Sequence, residues 1–322
     1  MIGTAARAAT AFVAAAAIVA VLGPARAAAD PSPAEMDSQV ATAWQQLEGV
    51  VEHYNTTRVS LSDTRTRLAA TDAELAPLQQ KIEDLQRKVG TIAAGVYKSN
   101  GDGPATALLG AHSPSMLLDQ LTMLDHVART HNQDLKGLNA ATARYESQRR
   151  NLKDLERKQA AQDRELTVTK AVIESNLNEL QTLRTKVYGA RASRDATRDA
   201  YVPIFPANAG GTALRYAYEQ IGKWYQWGAA GPSTFDCSGL TLAGWRQAGV
   251  DLPHSAALQF QQTKRIKREE LRPGDLVFYY RDLHHVAMYA GDGRVVNAPQ
   301  TGERISIRQM DFAPIVGYGR VS

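Results

Sequence analysis

The residues able to do covalent chemistry are few, and they gather in the last third of the chain. Cys237 is the one cysteine among 322 residues. It makes no internal disulfide and no zinc site of the paired-cysteine kind. It lies in the run Phe235-Asp236-Cys237-Ser238-Gly239-Leu240, where Asp236 is a suitable N-cap, predicting a helix from Cys237 to about Ala248 with the thiol in its first turn. The positive end of the helix dipole favours a thiolate there. Downstream, His285-Val286-Ala287-Met288-Tyr289 alternates as a strand, and Asn297 ends the next one. A cysteine at a helix N-terminus with a histidine on a nearby strand suits thiol acyl transfer: the imidazole takes the thiol proton, and a third polar group orients the imidazole. Joining His254, His284 and His285 to Cys237 in a metal site fails for want of close-spaced ligands and an acidic partner. His53, His112, His126 and His131 show no ligand spacing either. No metal and no cofactor is expected.

The elements that must position these residues are short. An amphipathic helix is predicted over Thr212 to Lys223, then a Gly/Pro turn at Ala229 to Thr234, then the Cys237 helix. Leu252-Pro253-His254-Ser255 begins a further short helix through Gln262. Three strands follow: Leu276 to Tyr280, His285 to Tyr289 and Arg294 to Asn297. Helices followed by a run of antiparallel strands indicate an α+β domain.

Upstream the pattern is a heptad. Leu47, Tyr54, Leu61, Leu68, Leu75, Ile82, Val89 and Val96 are each seven residues apart, with Val50, Thr57, Thr64, Thr71, Leu78, Leu85 and Ile92 three residues on. A helix from near Met36 to Lys98 would be on the order of 90 Å long, and Pro77 is expected to kink it or mark a break. Turn residues at 99–104 end this arm, and short helices are predicted over Ala105 to Gly110 and Ser113 to Leu124. A second seam runs through Leu124, Leu138, Tyr145, Leu152, Leu166, Ile173, Leu180 and Val187, with His131 and Gln159 at the two remaining steps and Leu121, Leu135, Leu155 and Leu183 flanking it. Two arms of similar length joined by a tip suggest a long antiparallel α-helical coiled-coil hairpin; an intermolecular coiled coil is the other reading. Ala107, Leu108, Leu109, Met116, Leu117 and Leu118 put apolar residues at the tip, where a plain spacer would be polar.

The remaining segments set location. Ala8 to Leu22 is an apolar run after a weakly basic start, too short to span a bilayer, and is followed by Gly23-Pro24 and small residues up to Ala29. A secretory signal peptide is expected over residues 1–29, the alternative being an uncleaved anchor. The formal charge is +4, and Arg7 and Arg26, in the expected leader, account for two of the positive charges. That is too weak an imbalance for nucleic acid as a partner. The expected organisation is residues 1–29 signal peptide, 30–188 helical hairpin, 189–208 linker and 209–322 compact catalytic domain.

Tyr225-Gln226-Trp227-Gly228, Phe235-Asp236-Cys237-Ser238-Gly239-Leu240, Leu252-Pro253-His254-Ser255, Leu271-Arg272-Pro273-Gly274-Asp275-Leu276-Val277-Phe278 and His285-Val286-Ala287-Met288-Tyr289, with Asn297-Ala298-Pro299, occur in an order and spacing that resemble the NlpC/P60 family of papain-like cell-wall peptidases. The signal peptide, helical arm and domain order resemble the actinobacterial RipC-type peptidoglycan D,L-endopeptidases. The resemblance implies Cys237 as nucleophile, His285 as general base and Asn297 as the residue holding the imidazole, in a place where the family more often has His. It implies that Tyr225 lines the reacting centre, that Asp236 and Ser238 contact the stem peptide, and that the bond cut is D-glutamyl–meso-diaminopimelate. His254 stands where the family usually has Arg. The resemblance also suggests the membrane complex FtsE–FtsX as a partner of the arm, in cell division. Two other functions stay open: an N-acetylmuramoyl-L-alanine amidase on a similar fold, and a non-catalytic wall-binding scaffold that activates another hydrolase.

Overall fold

The computed structural model describes residues 33–98, 114–188 and 201–322. The expected leader, the 105–110 helix, Leu108 and Leu109, and residues 189–200 of the expected linker lie outside them. The fold is a long helical region followed by an α+β body. Helix α1 is Pro33–Lys98 and helix α2 is Pro114–Tyr188. By internal contacts the chain divides into two compact units, residues 61–162 and the rest.

Within the 61–162 unit the two helices run antiparallel. Tyr145 donates to Gln79 at 3.5 Å, and Gln148 donates to Glu74 at 2.9 Å. The predicted seam is the covered one. Leu61, Thr64, Thr71, Ala141 and Leu155 are buried, and Leu68, Leu75, Leu78, Ile82 and Leu85 are half-buried. On α2 the positions between the seam leucines are largely polar, with Asp134 and Gln148 half-buried and Gln162 buried, while Leu121 and Leu135 face solvent. Helix α1 passes through Pro77 without a break. Pro77 is exposed, so the cost is one lost backbone hydrogen bond on a solvated face. Ser113 to Leu124 does not form a separate short helix; Pro114 is the first residue of the single 75-residue helix α2. Proline is well suited to that first position because its missing N–H has no partner there in any case. Met116, Leu117 and Leu118 are exposed. Among the described residues no helix is long and apolar enough to cross a membrane.

In the other unit, Val40, Trp44, Leu47 and Val51 of α1 pack with Ile173 and Leu180 of α2. The body adds helices α3 (Ala209–Glu219), α4 (Cys237–Gln247) and α5 (Ala256–Gln262). Its sheet has six antiparallel strands, not three: β1 (Lys264–Ile266), β2 (Leu276–Tyr279), β3 (His285–Gly291), β4 (Arg294–Asn297), β5 (Ser306–Gln309) and β6 (Ile315–Arg320), in the order β1-β6-β2-β3-β4-β5. The sequence hides the extra three because β1 and β5 are edge strands carrying Lys and Arg, and β6 holds two glycines. Leu276, Phe278, Val286 and Met288 face a core shared with Leu214, Ala217, Leu240 and Trp245 of α3 and α4, while Val277, Tyr279, Ala287 and Val295 fill the opposite face. Tyr201 and Phe205, within the expected linker, pack on this core, and the Tyr201 hydroxyl donates to the Ala290 carbonyl at 3.1 Å.

Candidate active site

Helix α4 begins where its sequence says it should. The Asp236 carboxylate accepts from the Gly239 N–H at 2.6 Å and caps the first turn, placing Cys237 as the first helical residue. Gly239 is required: a Cβ there would run into the Ala229 carbonyl oxygen. Asp236 is fully buried and heavily bonded. It also accepts from the Gly228 N–H at 2.8 Å, from Asn55 Nδ2 at 3.1 Å and pairs with His254 Nε2 at 2.9 Å. Burial opposes its ionisation, but His254 and the bonds from Gly239 and Asn55 outweigh burial and hold its carboxyl below the usual range.

Strand β3 begins at His285, and β4 ends at Asn297. His285 Nε2 and Asn297 Oδ1 are 2.7 Å apart. With Nε2 donating to that amide oxygen, Nδ1 keeps its lone pair and is the nitrogen left to take a thiol proton. Tyr279 and Phe312 meet the ring edge-on and fix its plane. Burial pushes the imidazole down to about 4, against the bond to Asn297, which favours the charged ring. Asn297→Ala is expected to lower kcat by about 10- to 100-fold through lost ring orientation, with little change in KM, in steady-state assays on a stem peptide.

All six sequence-predicted residues, Cys237, His285, Asn297, Tyr225, Asp236 and Ser238, are buried, and His285 and Asn297 are in hydrogen-bond contact. The thiol, however, donates to the His284 carbonyl at 3.8 Å. The surroundings work against the expected dipole-favoured thiolate. Burial first, then the charges of Asp236, Glu48 and Glu52, push the Cys237 thiol well up. Tyr225, also buried, is raised for the same reasons. Ser238 bonds inward to Asp236 at 3.3 Å. Among the described residues no group of His, Cys, Asp and Glu is placed to hold a metal.

What the sequence did not reveal is the contribution of α1. Glu52 accepts from the Ser255 hydroxyl and from the backbone N–H groups of Ala256 and Ala257, each at 3.0 Å, at the start of α5. Asn55 bonds Asp236, and Arg58 donates to the Gly228 carbonyl at 3.1 Å. Tyr54 meets Trp227 edge-on, with centroids 5.2 Å apart. Glu48 Oε2 sits 3.5 Å from His284 Nε2 and 3.9 Å from His285 Nδ1, on the approach to the nitrogen that would serve the thiol. Burial raises Glu48 well above the usual carboxylate range, and burial carries Glu52 to about 7. No signal marked these positions. Glu48, Glu52 and Asn55 fall off the apolar seam, where charge reads as a solvated face.

Residues 222–315 match the NlpC/P60 family. Over 109 residues the chain is 40% identical to a probable endopeptidase p60 of Listeria monocytogenes, covering 33% of this chain and 22% of that protein. Over 111 residues it is 36% identical to a probable endopeptidase of Mycobacterium tuberculosis, covering 34% of this chain and 29% of that one. The crystal structure of the NlpC/p60 domain of the peptidoglycan hydrolase SagA is 30% identical over 35% of this chain and 98% of that chain, with a TM-score of 0.33. The chain spans less than a third of the length of these two endopeptidases.

Proposed function

With residues 222–315 forming an NlpC/P60 domain, we propose that the protein is a cysteine endopeptidase of peptidoglycan that cuts the D-glutamyl–meso-diaminopimelate bond of stem peptides. The observation that carries the reading is the bond between His285 Nε2 and Asn297 beside a cysteine at a helix N-terminus. That arrangement leaves Nδ1 as a base and needs no metal or cofactor. The relatives named as probable endopeptidases support the reaction class; the choice of bond follows from the family resemblance.

The chemistry balances on this chain's own groups. Cys237 turns from the His284 carbonyl and gives its proton to His285 Nδ1. The thiolate sulfur attacks the scissile carbonyl carbon, and the carbonyl electron pair moves to oxygen. The Cys237 backbone N–H and Tyr225 are the proposed donors to that oxyanion. On collapse, His285 passes the proton to the leaving amine and a thioester remains. Water, losing a proton to Nδ1, attacks the thioester and restores the thiol. Asp236 and Ser238 are proposed to hold the acyl-side peptide once Asn55 has left Asp236.

In the same reading α1 restrains the enzyme, and the exposed Met116, Leu117 and Leu118 belong to a docking site for a membrane complex of the FtsE–FtsX type that relieves the restraint during division. The protein is then exported and acts at the wall. The domain boundaries that fit are residues 30–188 for the arm, 189–208 for a linker and 209–322 for the enzyme. Mass spectrometry of purified muropeptides after digestion by the full chain tests the bond. Fragments with a new diaminopimelate amino terminus support the endopeptidase. Release of the intact stem from muramic acid identifies an amidase instead, and no product with a stimulated second hydrolase identifies a scaffold.

A further inference from the structure

We propose that His284 is a specificity-determining residue that binds an acidic group on the leaving side of the substrate, and that Glu48 holds the place of that group. The inference rests on the hydrolase reading above.

His284 is built as a fixed reader with one side left over. Its side chain is only 5% exposed. Nδ1 lies 2.6 Å from Asp282 Oδ1, and the ring stacks on Tyr280 with centroids 4.2 Å apart and planes 18° off parallel. Tyr280 and Leu283 both adopt left-handed backbone, with φ of 59°, which is uncommon for residues of their size and turns the loop so that the ring is pinned. The proton transfers need only His285, so this construction has no part in them. Yet Nε2 of His284 is buried and has no hydrogen-bond partner. A buried polar atom without a partner is costly, and it calls for an explanation. The nearest carboxyl oxygen to it belongs to Glu48 at 3.5 Å, and the two do not form a hydrogen bond.

The position of Glu48 tells which side of the bond is read. Its oxygen lies 3.9 Å from His285 Nδ1, the nitrogen that delivers a proton to the departing amine. A group there sits on the amine side of the scissile bond. In the docked form burial, Glu303 and Asp282 oppose an ionised Glu48 and the Arg308 charge favours it; a ring donating from Nδ1 to Asp282 and from Nε2 to a substrate carboxylate satisfies both nitrogens. When α1 withdraws, the carboxylate leaves with it, and a side-chain carboxylate on the leaving residue can take the vacated place and complete the bond Glu48 misses.

The test uses the full chain carrying Glu52→Ala to loosen α1, and two stem peptides: one with free diaminopimelate at the leaving position, one with its distal carboxyl amidated. The expected ratio of kcat/KM, acid over amide, is about 10 to 100, the value of one hydrogen bond to a charged group. His284→Gln should bring it to about 1, and Asp282→Asn, at an exposed position that tolerates change, should lower it by a smaller factor. General damage to the fold slows both peptides alike and leaves the ratio alone. A ratio near 1 before any change at His284, or a ratio above 10 that survives both substitutions, overturns the proposal while the hydrolase reading stands. Cleavage of neither peptide overturns the hydrolase reading, and this proposal with it.

Discussion

Cys237→Ala should abolish stem-peptide hydrolysis by the full chain, a loss of at least about 1000-fold in kcat, while the melting temperature stays near that of the unchanged protein. The rate loss is large in this reading because Cys237 is the one cysteine of the chain and His285 with Asn297 can only move a proton. Stability should hold because the thiol gives up one weak sulfur bond, to the His284 carbonyl, on going to alanine. Residual cleavage within tenfold of the unchanged protein would remove Cys237 as nucleophile. A product that is lost together with a collapsed melting curve is resolved by Cys237→Ser, which keeps a polar side chain of similar size and is expected to be equally inactive.

Glu52→Lys is expected to raise hydrolysis by the full chain on the order of 100- to 1000-fold. Glu52 accepts three hydrogen bonds from the start of α5. Each hydrogen bond contributes about 0.5–1.5 kcal/mol net, about 3 kcal/mol for the three together, and a lysine there would face N–H donors with more donors. Losing that anchor shifts the balance toward a withdrawn α1 by the same free energy, and the rate follows the open fraction until it saturates. A readout independent of substrate is alkylation of Cys237 by iodoacetamide. Glu48 and Glu52 both help to push the thiol up, so the variant should alkylate faster at neutral pH. Equal rates in both assays would dismiss restraint by α1.

The same contact predicts a pH signature. Glu52 is raised from about 4.5 to about 7 in the docked form, so the stability it lends to docking is full below pH 4.5 and is lost as pH rises to 7. His285 is lowered from 6.5 to about 4, so its contribution is full above pH 6.5 and is lost as pH falls to 4. The two oppose each other over an overlapping window. Glu52→Gln removes the first. Between pH 4.5 and 7 its stability should gain on that of the unchanged protein by on the order of 3 kcal/mol in urea melts taken across that range.

The parts of the fold that the sequence made legible share one property: local pattern and burial agree. The seam of α1 could be read through Thr57, Thr64 and Thr71 because a heptad survives polar substitution when the spacing is kept, and all three are buried. Helix α4 was readable because its cap, Asp236, and its close-approach glycine, Gly239, are both local requirements. Strands β1, β5 and β6 were not, because edge position and backbone pairing, which no single segment encodes, decide whether a polar run becomes a strand. Pro77 likewise was expected to kink α1 or mark a break, and the helix continues through it.

For the site the division is chemical. By itself the sequence determined the proposed reacting set: a lone cysteine after an N-cap, a histidine opening an alternating strand and an asparagine closing the next. Each is fixed by its own element, and pairing β3 with β4 brings His285 to Asn297. Only the tertiary structure decided the state of that set. The charge on a thiol depends on everything within a few ångströms, from every part of the chain. Here the charges of Glu48 and Glu52 act on Cys237 from 189 and 185 positions away, Glu48 comes within 3.9 Å of His285, and burial is the largest cause of the raised thiol.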